Sequence, residues 1–376
     1  MGLLSAMRRR LAADLDSRLA PRFHAIFDET PVTTYDIGAA GGVFTPYTDG
    51  PSSWAPVIGF EPHPESYRLI AEAGLPEHIS LYNFALSDAD GPVEFHAGEG
   101  RARTRSSLRS IDYTGARNTL VTVDARTLDS LPQVLGIPPA DFVKLDTEGS
   151  EDLVLNGGIN MFRQDVLGIL VEVAFWTDQS GGVAFRDLDR MLTEQGFVLF
   201  DLQINRSDKR AIGGRKDKVR SGDALYLRNF TSVAAASTDP ASLKIKLLKL
   251  ISLSVAWKYL NYALELADYG RTLELLTAQE FSDIAQPLIA TVDLSDRVPS
   301  FPGRMLLATI FETLAYALHP SIKKGVPYSF NGLGNHWVVR RRSKSPTTVE
   351  LYCPIIEPER NNRSKFIVIE RTSGPS

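Results

Sequence analysis

The sequence predicts an α/β protein built on a mostly parallel sheet, and three observations carry that prediction. From Thr33 onward, short apolar runs alternate with helix-like stretches, the pattern left by strands and crossover helices. LGILVEVAFW is apolar but for Glu172, as a central parallel strand buried on both faces requires. The first strand runs straight into a glycine loop, DIGAAGG, and the next ends on a carboxylate, Glu61.

Taken in order, VTTYDIG is a first strand ending at Ile37, and APVIGFEP a second from Val57 to Phe60. The segment between them, GAAGGVFTPYTDGPSSW, holds too much Gly and Pro for a full helix, so a short irregular crossover is expected. Glu65 to Ala73 reads as a helix stopped by Gly74 and Pro76, and Ile79 to Ala85 as a third strand. GPVEFHAG and TLVTVDARTLDSL are strand-like pieces around a polar, arginine-bearing loop, and DFVKLDTEGSEDLVLNGG is a strand running directly into a helix. After LGILVEVAFW come a helix from Ala184 to Gln195, a sixth strand FVLFDLQIN and a seventh DALYLRN. The charged loop INRSDKRAIGGRKDKVRSGD between those two has no helical pattern, which predicts an antiparallel pair at the sheet edge.

The flanks are read separately. Residues 1–30 form an N-terminal helix in this reading, with Leu4, Met7, Leu11, Leu15 and Leu19 on one face beside Arg8, Arg9 and Arg10. Packing on its own domain is expected, with peripheral membrane contact the alternative. Residues 31–230 are the α/β domain, the small residues of 231–242 a linker, and 243–376 a mainly α-helical C-terminal region. That region has room for contacts in an oligomer, and strand-like pieces (HWVVRR, TVELYCPII, KFIVIE) follow Asn335.

Composition sets limits. The chain has 376 residues, a net charge of −4 and one cysteine, Cys353, so an internal disulfide and any Cys-based metal cluster are excluded. An acidic balance gives no general attraction to nucleic acid, and the absence of a long apolar run argues against a transmembrane helix. The arginines follow only a very short apolar piece, the reverse of a secretory signal, so a reducing, cytoplasmic setting is expected.

The chemistry is concentrated at the strand ends. Glycines at Gly38 and Gly41 let backbone approach a ligand closely, and Glu61 is an acceptor-only group suited to gripping the hydroxyls of a ribose. A dinucleotide fingerprint would need a glycine where Ala40 stands, and Asp36 before the loop suits an ammonium or sulfonium group better than a pyrophosphate. S-adenosylmethionine is therefore the expected cofactor, with NAD the alternative. Asp146, Glu148 and Glu172 stand at or just past strand ends and are the candidate general bases, Asp146 first. Glu151 and Asp152 are read as acids favouring a helix N-terminus, with Ser150 as its cap. The basic run Arg101, Arg103, Arg105 and Arg109 could clamp an anionic group on an acceptor or simply be solvated. No histidine spacing points to a metal; the acid cluster could hold Mg²⁺ or Ca²⁺ through oxygen ligands, but methyl transfer does not require one and no metal is assigned.

DIGAAGG, IGFEPHPESYRLI, NFALSD, RSSL, TLDSL, VKLDTEGSEDLVLNGG and LVEV, in this order, resemble the FkbM family of S-adenosylmethionine-dependent methyltransferases over about Thr33 to Asn229. The resemblance implies a class I (Rossmann-like) seven-stranded sheet with its last strand antiparallel. It also implies O-methylation of an alcohol, on a sugar, a glycan or a glycosylated small molecule. By position, Asp36, Gly38, Ala39 and Gly41 match the family's cofactor loop, and Glu61 with Pro62 its ribose-binding acid. Asn83 and Ala85 match the segment bordering the adenine, Asp146 and Glu148 the acidic motif facing the methyl, and Ser106 and Ser107 the family's serine pair. The shortened, Pro-containing segment from Gly42 to Pro56 departs from the commoner pattern. An NAD-dependent oxidoreductase and a non-catalytic cofactor-binding scaffold are the other readings.

Overall fold

The computed structural model describes residues 30–45, 56–110, 118–175, 182–206, 219–237, 239–289, 301–304, 306–307 and 309–310, with strand segments 337–340, 348–352 and 366–370. The described chain divides into two compact units. One holds the residues between 31 and 238 and the three segments from Trp337 onward, the other the helices between 239 and 310.

The main strands of the first unit are β1 (Thr34–Ile37), β3 (Val57–Phe60), β4 (Ile79–Tyr82), β8 (Phe142–Leu145), β9 (Gly168–Ala174), β10 (Phe197–Arg206) and β11 (Val219–Arg228). They form a seven-stranded sheet in the order β10-β11-β9-β8-β1-β3-β4. All pairings are parallel except those of β11, which runs antiparallel to both β9 and β10. The antiparallel pair expected at the sheet edge is thus present, with the last strand inserted inside it and β10 outermost. Register sets Asp36 beside Gly59 on one side and Lys144 on the other. The carboxyl ends of β1, β3 and β8 are therefore level, and the loops that follow them open on one rim.

The apolar runs find their place. β1 and β3 are buried at every position, and Tyr35, Phe60, Val143, Phe162 and Tyr226 share one core. A helix over Pro64–Glu72 follows β3 and is capped by His63, whose Nδ1 accepts from the backbone N–H of Glu65 and Ser66. The third strand stops earlier than the predicted Ala85. Asn83 turns the chain, its Nδ2 donating to the carbonyls of Glu61 and Pro62. Ala85–Leu86 (β5) then leaves the main sheet to join β6 (Gly91–Gly98) and β7 (Asn118–Arg126) in a three-stranded sheet around Phe95, Val123 and Ala125.

Three expectations need revision or lie out of view. The N-terminal helix of 1–30 lies outside the described residues apart from Thr30. Residues 231–242 are not a plain linker: Phe230–Ala236 is helical, its first turn capped by Asn229 Oδ1, because Ala-rich sequence with a cap favours helix. The region 243–376 does contain helices, among them Leu260–Thr272, Ala278–Ile289 and most of Pro240–Ala256, which starts inside the expected linker. It also contributes β12 (Trp337–Arg340), β13 (Thr348–Tyr352) and β14 (Phe366–Glu370). These pair with β2 (Phe44–Thr45) in the order β14-β13-β12-β2, so the strand-like pieces after Asn335 are strands of the first unit. No helix among the described residues is long and apolar enough to cross a membrane.

Candidate functional site

A cleft of about 330 Å³ opens where β1, β3 and β8 end. Gly38 and Gly41 form one wall, Glu61 and Pro62 a second, and Asp146 and Glu148 a third. Loops leaving the carboxyl ends of parallel strands meet in this way because nothing continues the sheet there, which is why such crevices hold ligands.

Gly38 has φ +88, a region that disfavours any residue with a Cβ. Its amide donates to the carbonyl of Phe60 (3.1 Å), joining the first loop to the end of β3. Ala39 turns its side chain the other way, into a small core with Val43, Val57 and Ile79, so it supports the loop from behind.

Asp36 does not line the cleft. Its side chain is 1% exposed, and Oδ2 accepts the backbone N–H of Phe44 at 2.6 Å. Burial pushes its carboxyl up, while Lys144 and the Phe44 amide hold it back. Lys144 is the residue that sequence reasoning missed. Its Nζ stands 3.4 Å from Asp36 Oδ1, 3.2 Å from Asp146 Oδ2 and 3.1 Å from the Gly38 carbonyl. Burial alone would push the ammonium down, but the two acids outweigh it and hold its pKa above the usual lysine range. The signal available in the sequence is a lone cation inside the otherwise apolar strand FVKL.

Glu61 is the other buried acid at the rim. One oxygen accepts the His63 backbone N–H at 2.7 Å, whereas Oε2 is buried without a hydrogen-bond partner. Burial pushes this carboxyl up to about 8. An unmet buried acceptor facing a cleft is costly unless a donor enters. Asn83 braces the same tip through the Glu61 and Pro62 carbonyls rather than lining the cleft, which Ala85 does.

The acidic segment after β8 carries the third wall. One oxygen each of Asp146, Glu148 and Glu172 fall within 4.8 Å of one another. Oxygen ligands gather around divalent cations in this way, but exposed acids also cluster without one. Glu148 has φ +54, in the left-handed region. Asp223, a second residue that the sequence does not single out, lies directly opposite Glu172 across the β9–β11 pairing and lines the cleft. Burial, then the charges of Asp146, Glu148, Glu151 and Asp223, raise Glu172 well above the usual carboxylate range. Burial, then Asp146, pushes Asp223 up to about 6. Its position cannot be read from the sequence because β11 reaches the site only through its antiparallel insertion.

Ser150 makes no side-chain cap to the helix Glu151–Gly157; its Oγ donates to the Thr147 carbonyl instead. The basic run divides. Arg103 lines the cleft and pairs with Glu65 at 2.5 Å. Arg105 has partners of its own and does not line the cleft, and the Arg101 side chain lies outside the described residues. Ser106 Oγ accepts the Gly98 N–H and donates to the Arg103 carbonyl, and the Ser107 backbone pairs with His96. Both serines line the cleft. Arg109 crosses to the acidic segment, donating to the Gly149 carbonyl at 2.9 Å and pairing with Asp152 at 2.7 Å.

Residues 36–199 match the methyltransferase FkbM domain. The chain is 26% identical over 168 residues to the hexuronic acid methyltransferase AglP of Haloferax volcanii, covering 44% of this chain and 64% of that protein. It is 28% identical over 116 residues to the 2-O-methyltransferase NoeI of Sinorhizobium fredii, covering 28% of this chain and 48% of that protein. The chain thus spans less than two thirds of the length of either relative. Among solved structures, an FkbM methyltransferase from Methylobacillus flagellatus aligns over 52% of this chain and 43% of its own, with 16% identity and a TM-score of 0.28. Magnesium protoporphyrin IX methyltransferase from Synechocystis aligns over 58% and 79%, with 9% identity and a TM-score of 0.29.

Proposed function

We propose, from the match of residues 36–199 to the methyltransferase FkbM domain, that the chain transfers the methyl group of S-adenosylmethionine to a hydroxyl oxygen of a sugar, a glycan or a glycosylated small molecule. The observation that carries the cofactor reading is Glu61 Oε2, a buried acceptor at the end of β3 with no partner in the protein. A ribose hydroxyl supplies the missing donor, and the loop around Gly38 and Gly41 leaves room for the amino-acid end. When bound, S-adenosylmethionine supplies an electrophilic methyl group on a positively charged sulfur. The carboxylates of the cleft complement that charge.

Asp146 is the proposed base, with Glu148 and Glu172 beside it. Asp146 sits at the end of β8 with one oxygen turned to Lys144, and its side chain remains 38% exposed, within reach of an incoming hydroxyl. The acceptor oxygen would gain the methyl group as the methyl carbon–sulfur bond breaks, with S-adenosylhomocysteine as the leaving group and the hydroxyl proton passing to a carboxylate. Such a base adds roughly 10²–10⁴-fold. Arg103, Ser106 and Ser107, which line the cleft, are the proposed acceptor contacts, with Arg101 and Arg105 in the same basic run. The name of AglP, a hexuronic acid methyltransferase, supports a sugar as acceptor, and that of NoeI, a 2-O-methyltransferase, supports transfer to oxygen.

Calorimetry with S-adenosylhomocysteine and with NADH tests the cofactor, and mass spectrometry of cell extract incubated with methyl-labelled cofactor tests the acceptor. A labelled glycan fragment is expected. Tight NADH binding with no binding of the thioether overturns the reading. Asp146→Asn is expected to lower labelling at least 100-fold with thioether binding retained; unchanged labelling removes Asp146 from its role.

A further inference from the structure

The loop that carries Glu148 into the cleft is tied down by a carboxylate that does not itself line the cleft. Glu151 is 3% exposed. Its Oε1 accepts from the Thr147 N–H at 3.0 Å, the Thr147 hydroxyl at 3.1 Å and the Gly149 N–H at 3.0 Å. These donors flank Glu148, whose left-handed backbone persists only where its surroundings over-determine it. From the outside, Arg109 holds the Gly149 carbonyl and Asp152.

We propose that Glu151 is a positioning residue: its side chain folds back from the first turn of the helix to hold Thr147–Gly149, and thereby keeps Asp146 and Glu148 in register with the reacting groups. This rests on the methyl-transfer reading. A carboxylate acting only on the helix dipole needs proximity to the helix end, not burial with one oxygen receiving three hydrogen bonds. What the loop requires is an acceptor at that point, and a glutamine amide oxygen provides one.

The test uses the full chain with Glu151→Ala and Glu151→Gln. Hydrogen exchange is measured across Thr147–Gly149, S-adenosylhomocysteine affinity by calorimetry, and transfer from methyl-labelled cofactor into cell extract. Glu151→Ala is expected to speed exchange at Thr147 and Gly149 at least tenfold and to lower labelling at least tenfold, with thioether affinity within threefold of the parent. Glu151→Gln is expected to stay within threefold in all three. Unchanged exchange and labelling in Glu151→Ala overturns the proposal. So does a parallel fall of labelling, thioether affinity and melting temperature in both variants, which marks a merely structural role. If the parent chain neither binds the thioether nor labels extract, the methyl-transfer reading fails, while the exchange measurement still decides whether Glu151 holds the loop.

Discussion

A Cβ added to Gly38 would stand 1.9 Å from the carbonyl oxygen of Asp146. The loop after β1 and the acidic segment after β8 thus meet backbone to backbone at this point, beside the bridge that Lys144 makes between them.

Gly38→Ala is therefore expected to destabilise the protein by about 3 kcal/mol or more, since a backbone clash adds to a positive φ. Gly41 makes the control, because a Cβ added there would meet nothing within 4 Å. Gly41→Ala should leave the melting temperature unchanged and weaken S-adenosylhomocysteine binding at least tenfold. Thermal denaturation and calorimetry on the two variants check both statements.

Glu61 predicts a proton released on binding. With its carboxyl at about 8, it is about nine-tenths protonated at pH 7 in the free protein. Ligand hydroxyls that donate to it favour the ionised form, so close to one proton should leave per thioether bound at pH 7 and almost none at pH 9. Calorimetry in buffers of different ionisation enthalpy reads this directly. Glu61→Gln should abolish the release and weaken binding by about 10–100-fold.

The same acids give the unliganded protein a pH slope. Glu61 and Asp223 have folded pKa values above their ordinary ones, 4.5 and 3.8, so the folded state holds more protons than the unfolded state between those values and about 8 and 6 respectively. Their contribution is full below the ordinary values and is lost as pH rises through the folded ones. The melting temperature should be lower at pH 8.5 than at pH 6.5, and Glu61→Gln should reduce that difference.

Lys144→Met leaves Asp36 buried with its cation removed, and a loss of about 3–5 kcal/mol is expected. Adding Asp36→Asn should restore much of it, because an amide there needs no counter-charge. Denaturant titration of the two single variants and the double variant measures the coupling.

Much of the sheet is legible in the sequence because burial on both faces leaves little freedom in residue choice. VIGF, FVKL and the run around Gly168–Ala174 read as strands without any knowledge of their neighbours. Glu61, Asp146 and Glu148 are legible because they sit where strands end. Lys144 and Asp223 are not, since each takes its meaning from a residue on another strand: Asp36 across β1–β8, Glu172 across β9–β11. Glu151 reads as a helix-end acid from its place in the chain, whereas its burial and its three donors follow from a side chain folded back over the loop. The Ala-rich segment after Phe230 reads as a linker because small residues suit both states, and only its cap and its neighbours decide between them.

The insertion of β11 between β9 and β10 has a consequence for how the chain can be made. While the polypeptide is emerging, Phe197–Arg206 exists before the strand that separates it from Gly168–Ala174. Until Val219–Arg228 arrives, ILVEV presents an unpaired apolar edge, the kind of surface on which nascent chains stick to one another. Fragments ending between β10 and β11 should for that reason collect in inclusion bodies, and a chaperone that shields strand edges would act in that interval of synthesis.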